Sequence, residues 1–381
     1  MKRLLLINCV CGIRSTGRIC SDIAREYEGK GYDVRVAYGR MDELDKESSR
    51  WAVKIGDRLS RNIHAVLTRL FDLHGTGLCS YFATKRFLKW AEEWNPDVIW
   101  LHNIHGYYLN HRLLFNWIKR HPDKEVRWTL HDCWVFTGHC AYFTAVGCNK
   151  WKSGCKGCPR KGEYPRCVLF SRSERNLREK IQSFSGVQRM SLITPSKWLA
   201  DLTRESFLKQ YPVSVVNNKI DTDVFKLTKG DFRKRFNIEK KIIILGVAST
   251  WDKRKGLEDF LKLRLLLDYR YAIVLVGLSK KQMSNLPDGI VGITKTNSSR
   301  ELAELYSAAD WFFNPTYEDN YPTVNLEARA CGCKIVTYDT GGAAETVECY
   351  DKAWVLSGID KTPNGFVKLL HVVKRGGIKG E

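Results

Sequence analysis

The stretch NPTYEDNYPTVNLEARACGCKIVTYDTGGAAETV, residues 314–347, constrains the fold more than any other part of this chain. It reads as a loop, a short helix, a buried strand and a tight turn. Glu318 and Asp319 fall on the loop. Pro322 and Thr323 open the helix, Glu327 lies one turn in, and Gly332 stops it. KIVTYD reads as the strand, and Gly341 with Gly342 as the turn after it. The start of such a helix, at Thr323 and Val324, offers free backbone N–H groups to a phosphate. Acidic side chains beside it can grip the hydroxyls of a sugar, so the outline fits a ligand that carries both.

The rest of the chain repeats the strand–helix alternation. KRLLLINCV is a strand, CGIRST a glycine turn, GRICSDIAREYEGKGY an amphipathic helix and DVRVAYG the next strand. That β–α–β opening implies a parallel sheet. PDVIWLHN, VRWTLHD and MSLITPS continue it, each followed by polar or aromatic loop residues where open α/β sheets put their ligands. PVSVVNNKIDTDVF marks a junction, after which KIIILGVAS, YAIVLVG, GIVGITK and WFFNPT begin a second alternation. The expectation is α/β: residues 1–223 as one Rossmann-like domain carrying a cysteine-rich loop at 139–167, and 224–364 as a second. Two doubly wound sheets would face a central cleft. Residues 365–381 form a closing helix and tail.

With 381 residues, 44% of them hydrophobic and 27% charged, both domains can bury a full core. No apolar run reaches the roughly 20 residues that span a bilayer. MKRLLLINCVC reads as the first buried strand rather than an export signal, since a glycine turn and a helix follow at once. Thirteen cysteines without an export signal fit a reducing cytoplasm, with thiols free or bound to metal. A formal net charge of +20 calls for an anionic partner: nucleic acid, an acidic membrane surface or a phosphorylated substrate.

The order of acid, helix, small-residue run, strand and GG-x-x-E in 314–347 resembles the donor-site signature of the retaining glycosyltransferases of family 4, which have the GT-B fold. In that family the first acid precedes the helix glutamate by eight positions. Asp319 and Glu327 have that spacing, Glu318 is one residue further away, and Asn320-Tyr321-Pro322 replaces the usual Gly-Phe-Gly. Both acids therefore stand as candidates. The resemblance implies that Glu327 holds the ribose of a nucleotide and that Asp319 or Glu318 holds sugar hydroxyls. Gly341 and Gly342 would border the nucleotide, with Glu345 fixing their loop. In STWDKRKGLEDFL, Lys255 and Gly256 match the family, and Arg254 stands in for an arginine usually found where this chain has Thr250. Lys255 with Arg254 would stabilise a departing diphosphate. From the first domain, the family's His-Asp pair corresponds to His131 and Asp132, and Gly17 with Arg18 would lie near the diphosphate. Asn218 and Asp221 match hinge residues. The same resemblance implies no catalytic divalent metal and a last helix that crosses back to the first domain.

Other features stand outside that signature. His102, His105, Tyr107 and Tyr108 end the strand before His131 and fit an acceptor-side lining as well as plain packing. Cys140, Cys148, Cys155 and Cys158 have the spacing C-x7-C-x6-C-x2-C in a short hydrophilic loop. Four thiolates around a tetrahedral structural zinc would order it. Free thiols are the alternative, as are disulfides or an iron–sulfur cluster, with His139 and Cys133 as neighbouring ligands. Phe170, Leu177, Ile181 and Phe184 share one face of a basic helix, a face that either packs in the core or rests on an anionic membrane.

Taken together, the sequence implies an enzyme that moves a sugar from a nucleotide-diphosphate sugar to a glycan acceptor, lipid-linked, in cell-surface polysaccharide synthesis. It would be cytoplasmic, with peripheral contact at the inner face of the membrane and no nucleic-acid partner. The competing readings are a nucleotide-sugar epimerase on the same fold and a zinc-containing nucleic-acid-binding protein.

Overall fold

Short runs of leucine, isoleucine and valine, bounded by turns and separated by helical stretches, can bury both faces only in a parallel sheet. The computed structural model, which describes residues 1–41 and 44–374, contains two such sheets, one in each of two units, Met1–Asn217 and Asn218–Glu381. The first holds β1 (Arg3–Asn8), β2 (Asp33–Tyr38), β3 (Ala52–Lys54), β4 (Val98–Leu101), β5 (Glu125–Thr129), β6 (Met190–Thr194) and β7 (Val213–Val215). Their order is β3-β2-β1-β4-β5-β6-β7, every pair parallel. The second holds β8 (Ile242–Val247), β9 (Tyr271–Val276), β10 (Ile290–Ile293), β11 (Trp311–Asn314), β12 (Lys334–Tyr338) and β13 (Ala353–Leu356), in the order β10-β9-β8-β11-β12-β13. These pairs are parallel as well.

The strand order decides where ligands can bind. The winding reverses between β1 and β4 in the first sheet and between β8 and β11 in the second. The loops that leave the carboxyl ends of those strands diverge and open a crevice. In the second unit they are the loops after β8 and β11, which carry Arg254, Lys255, Glu318 and Asp319.

Each strand named from sequence exists. The three not foreseen, β3, β7 and β13, are three- or four-residue edge strands, too short for a pattern to register. The structure refines several details. The units divide after Asn217 rather than 223, because Ile220, Val224 and buried Phe225 pack into the second core. The first helix begins at Arg14, three residues earlier than expected, so Gly17 sits within its first turn rather than opening it. The closing helix, Pro363–Lys374, packs on the helix Leu257–Leu266, with Phe366 and Leu370 in the second unit's core. The tail after it lies outside the described residues. Of the two readings left open for the basic helix Ser173–Phe184, the structure favours packing: Leu177, Phe184 and even Lys180 are buried, while Ile181 is exposed and exposed Phe170 lies before the helix.

Candidate active site

The second-unit site begins with the turn that follows β8. The Asp252 carboxylate accepts the Lys255 backbone N–H at 3.0 Å and starts a short 3₁₀ turn, Lys253–Lys255. Gly256 then takes φ +75°, and a Cβ there would come 2.3 Å from the Pro315 carbonyl oxygen. Only glycine lets this loop press against the one that follows β11. The contact is fastened from both sides. The Tyr317 N–H donates to the Arg254 carbonyl at 2.8 Å, and the Arg254 guanidinium donates to the Glu318 carbonyl at 2.7 Å.

Asp319 meets both cations: it pairs with the Lys255 ammonium and lies 4.0 Å from the Arg254 guanidinium. Burial pushes its carboxyl up, but the two positive charges outweigh burial and hold it below the usual carboxylate value. Its other oxygen accepts the Asn320 N–H at 2.9 Å. The Asp319 carbonyl accepts the Gly342 N–H at 3.2 Å, and a Cβ on Gly341 (φ +57°) would lie 1.9 Å from that carbonyl. The glycine turn therefore clamps the backbone of the acid. Glu318 is fully buried beside it.

The helix Thr323–Ala330 points its first turn at the same loop, and no side chain caps it. The N–H groups of Thr323 and Val324 stay available to an anion. Asn325, fully buried, holds the helix: it accepts from Asn314 at 2.8 Å and donates to Thr346 at 2.7 Å. Glu327 accepts the Tyr306 hydroxyl proton at 3.0 Å. Thus Lys255, Arg254, Asp319, Glu318, Gly341 and Gly342 gather at one place, with the helix bearing Thr323, Val324 and Glu327 beside them. Tyr306, Asn325 and the clamp between Thr340 and Thr316 (2.6 Å) were missed, since each partner is distant in sequence and no local pattern marks it.

In the first unit, His131 follows β5 and faces His102, which follows β4, at 3.0 Å between ring nitrogens. Burial lowers the His131 pKa to about 4, so its ring is neutral at pH 7. Asp132 accepts from His105 at 3.0 Å, and Tyr164, delivered by the cysteine-rich segment, lies 3.1 Å from the other His105 nitrogen. His105, Tyr107 and Tyr164 line a pocket with Trp134. Tyr108 is not part of that lining: it is fully buried and donates to the Asn103 carbonyl at 2.8 Å. Gly17 lets its helix approach the loop after β1, where a Cβ would meet Val10 at 3.2 Å.

Cys140, Cys148, Cys155 and Cys158 line one small cavity together with Phe143 and Trp151. The expectation that this loop lacks burial of its own is corrected. Phe136, Phe143 and Trp151 pack on one another, edge-on or tilted, at centroid distances of 5.3–6.4 Å and are buried.

Comparison with known proteins bears on both units. The model for "Glycosyltransferase Family 4" matches residues 16–224, and that for "Glycosyl transferases group 1" matches 228–362. The chain belongs to glycosyltransferase family 4; it is a glycosyltransferase of GT-B fold that uses a nucleotide-sugar donor. Among curated proteins it is 25% identical over 320 residues to a putative colanic acid biosynthesis glycosyl transferase of Escherichia coli K12, covering 81% of this chain and 75% of that one. A Campylobacter jejuni N,N'-diacetylbacillosaminyl-diphospho-undecaprenol α-1,3-N-acetylgalactosaminyltransferase is 34% identical over 130 residues, 32% of this chain and 34% of that protein. Among solved structures, Anabaena HepE in complex with UDP-glucose superposes with a TM-score of 0.63 at 13% identity, covering 99% of this chain and 91% of that one.

Proposed function

We propose that this enzyme transfers a sugar, with retention of anomeric configuration, from a nucleoside-diphosphate sugar to a lipid-linked glycan in cell-surface polysaccharide synthesis. The observation that carries the donor half is the Lys255–Asp319 pair beside an uncapped helix start. Lys255 and Arg254 neutralise the diphosphate as its bond to the sugar breaks, and the N–H groups of Thr323 and Val324 share that charge. Asp319 orients sugar hydroxyls, with Glu318 behind it, and Glu327 accepts from the ribose. Gly341 and Gly342 leave room for the nucleotide. In the first unit, neutral His131 accepts or donates a hydrogen bond to the sugar, and Gly17 lets a backbone approach the phosphates. The leaving phosphate oxygen takes the acceptor proton, so no protein nucleophile is required. Fixed positive charge does the work that a divalent metal would do, and turnover should survive brief chelation.

The names of the colanic acid and undecaprenol-linked relatives support the acceptor class. So does the helix Arg58–Phe71, which is inverted: only His64 and Thr68 are buried, while Leu59, Ile63, Val66 and Phe71 face outward. Val168, Leu169 and Phe170 are exposed next to it, tied on by the Val168 N–H to the Arg69 carbonyl at 2.7 Å. An apolar face among arginines suits peripheral contact with an anionic membrane at its cytoplasmic side. No described helix is long and apolar enough to cross a membrane.

The test of the donor half is a thermal-shift screen with UDP, GDP, ADP, CMP and dTDP and their sugar conjugates. One diphosphate should raise the melting temperature, and its sugar conjugate should label a lipid-linked glycan extract. No shift in folded protein would sink the reading. For the membrane contact, flotation with anionic vesicles should fail for Leu59→Glu with Ile63→Glu; unchanged flotation would refute it.

A further inference from the structure

From 130 to 172 the chain runs between β5 and the helix Ser173–Phe184 with nothing longer than three-residue 3₁₀ turns. So long an irregular segment inside a compact unit needs something to hold it. The packed rings of Phe136, Phe143 and Trp151 anchor one side. On the other side stand four cysteines, drawn from three turns of chain onto one cavity: Cys140, Cys148, Cys155 and Cys158.

We infer that Cys140, Cys148, Cys155 and Cys158 form a structural zinc site that staples this segment. Cys140 and Cys155 are buried and Cys148 and Cys158 half-buried around that cavity. Cys155–Cys158 form a knuckle: Cys155 has φ +59° and Gly157 φ +65°, a backbone that turns both sulfurs to the same side. The Gly138 backbone N–H donates to the Cys155 sulfur at 3.2 Å. Such a bond favours a thiolate and belongs to the outer shell that thiolate–metal sites use. Beside it, Lys180 is fully buried and donates to the carbonyls of Trp134 (2.6 Å) and Thr137 (2.9 Å), which ties the helix Ser173–Phe184 to the start of the segment.

Another cluster competes. Among the described residues, Asp72, His74 and His139 bring three ligating atoms within 4.8 Å of one another. Hydrogen bonding rules against it. Asp72 Oδ1 accepts from both rings at 2.7 Å. His74 Nδ1 accepts from Trp134, so the nitrogen facing Asp72 carries a hydrogen and has no lone pair for a metal. The thiols need only to lose their protons and draw in around the ion. Closing the knuckle would fix the segment that presents Tyr164 to His105.

The test is metal analysis of the purified full chain, followed by cobalt(II) exchange. About one zinc per chain is expected, and the cobalt form should show sulfur-to-metal charge-transfer bands with intense tetrahedral visible bands. Cys155→Ser with Cys158→Ser should lose both, and Cys349→Ser, at an exposed distant thiol, should keep both. Should the double variant not fold, stepwise mercurial titration of wild-type thiols should release zinc in proportion. Metal below about a tenth of an equivalent in folded protein would overturn the inference. A cobalt spectrum lacking sulfur bands, or zinc unmoved by thiol titration, would do the same.

Discussion

The two units solve the crevice of a parallel sheet with opposite chemistry. In the second, charge is fixed in place: Lys255 and Arg254 on one loop, Asp319 on the next, and a helix start with no cap. In the first, the loops after β4 and β5 carry rings held against one another: His102 against His131, both kept neutral by burial, and His105 between Asp132 and Tyr164. Fixed charge suits a diphosphate, whose charge grows during reaction. Neutral imidazoles and phenols suit hydroxyl groups, which need short directional bonds and no net field. The likeness of topology therefore says where to look, and the side chains at the switch point say for what.

The largest effect should come from Lys255→Ala. If Lys255 faces the leaving diphosphate as proposed, its removal should lower kcat/KM by about 10²–10³, with the melting temperature nearly unchanged. The matching change in the first unit, His131→Ala, should cost less, because it removes a neutral hydrogen bond; equal losses would erase the contrast. Next comes Glu327→Ala, expected to weaken nucleotide binding by about 1–3 kcal/mol. Tyr306→Phe should do the same more weakly by loosening Glu327, seen in calorimetry as a fraction of that loss. Turnover near wild type in Glu327→Ala would remove that residue from the site.

Gly341→Ala tests the clamp. Its Cβ would collide with the Asp319 carbonyl, so the acid must move. Activity should fall well before stability does, measured by comparing kcat/KM with denaturant midpoints.

Acid should separate the units. Burial lowers His74 and His131 to about 4, while the unfolded chain protonates near 6.5. The unfolded state thus takes up protons first as pH falls. The stability these rings contribute is present above about pH 6.5 and lost progressively down to about 4. Asp319 has a lowered carboxyl, so its contribution persists until pH drops below the ordinary carboxylate range. Hydrogen exchange near pH 5 should show the first unit opening before the second. Simultaneous opening would contradict the assignment.

Much of this was legible in sequence, unevenly. The buried strands announced themselves because Leu4–Ile7 or Tyr271–Val276 need two covered faces and hold no polar break. Loop acids and basic turn residues were legible because glycine and proline fix their places along the chain, as Gly256, Pro322 and Gly341 do. Edge strands of three residues gave no period to read. The partners that orient the site were invisible: Tyr306 reaches Glu327, and Asn325 joins Asn314 to Thr346, only because the sheet brings distant segments together. The face of Ser173–Phe184 was ambiguous since burying Lys180 depends on two carbonyls elsewhere in the chain.

The most direct test is hydrogen exchange with and without the nucleoside diphosphate that shifts the melting temperature. The account predicts protection at residues 253–256, at 316–327 and at 340–343, and loss of that protection in Lys255→Ala. Binding that protects only the first unit, or no binding by folded protein to any nucleoside diphosphate, would contradict it.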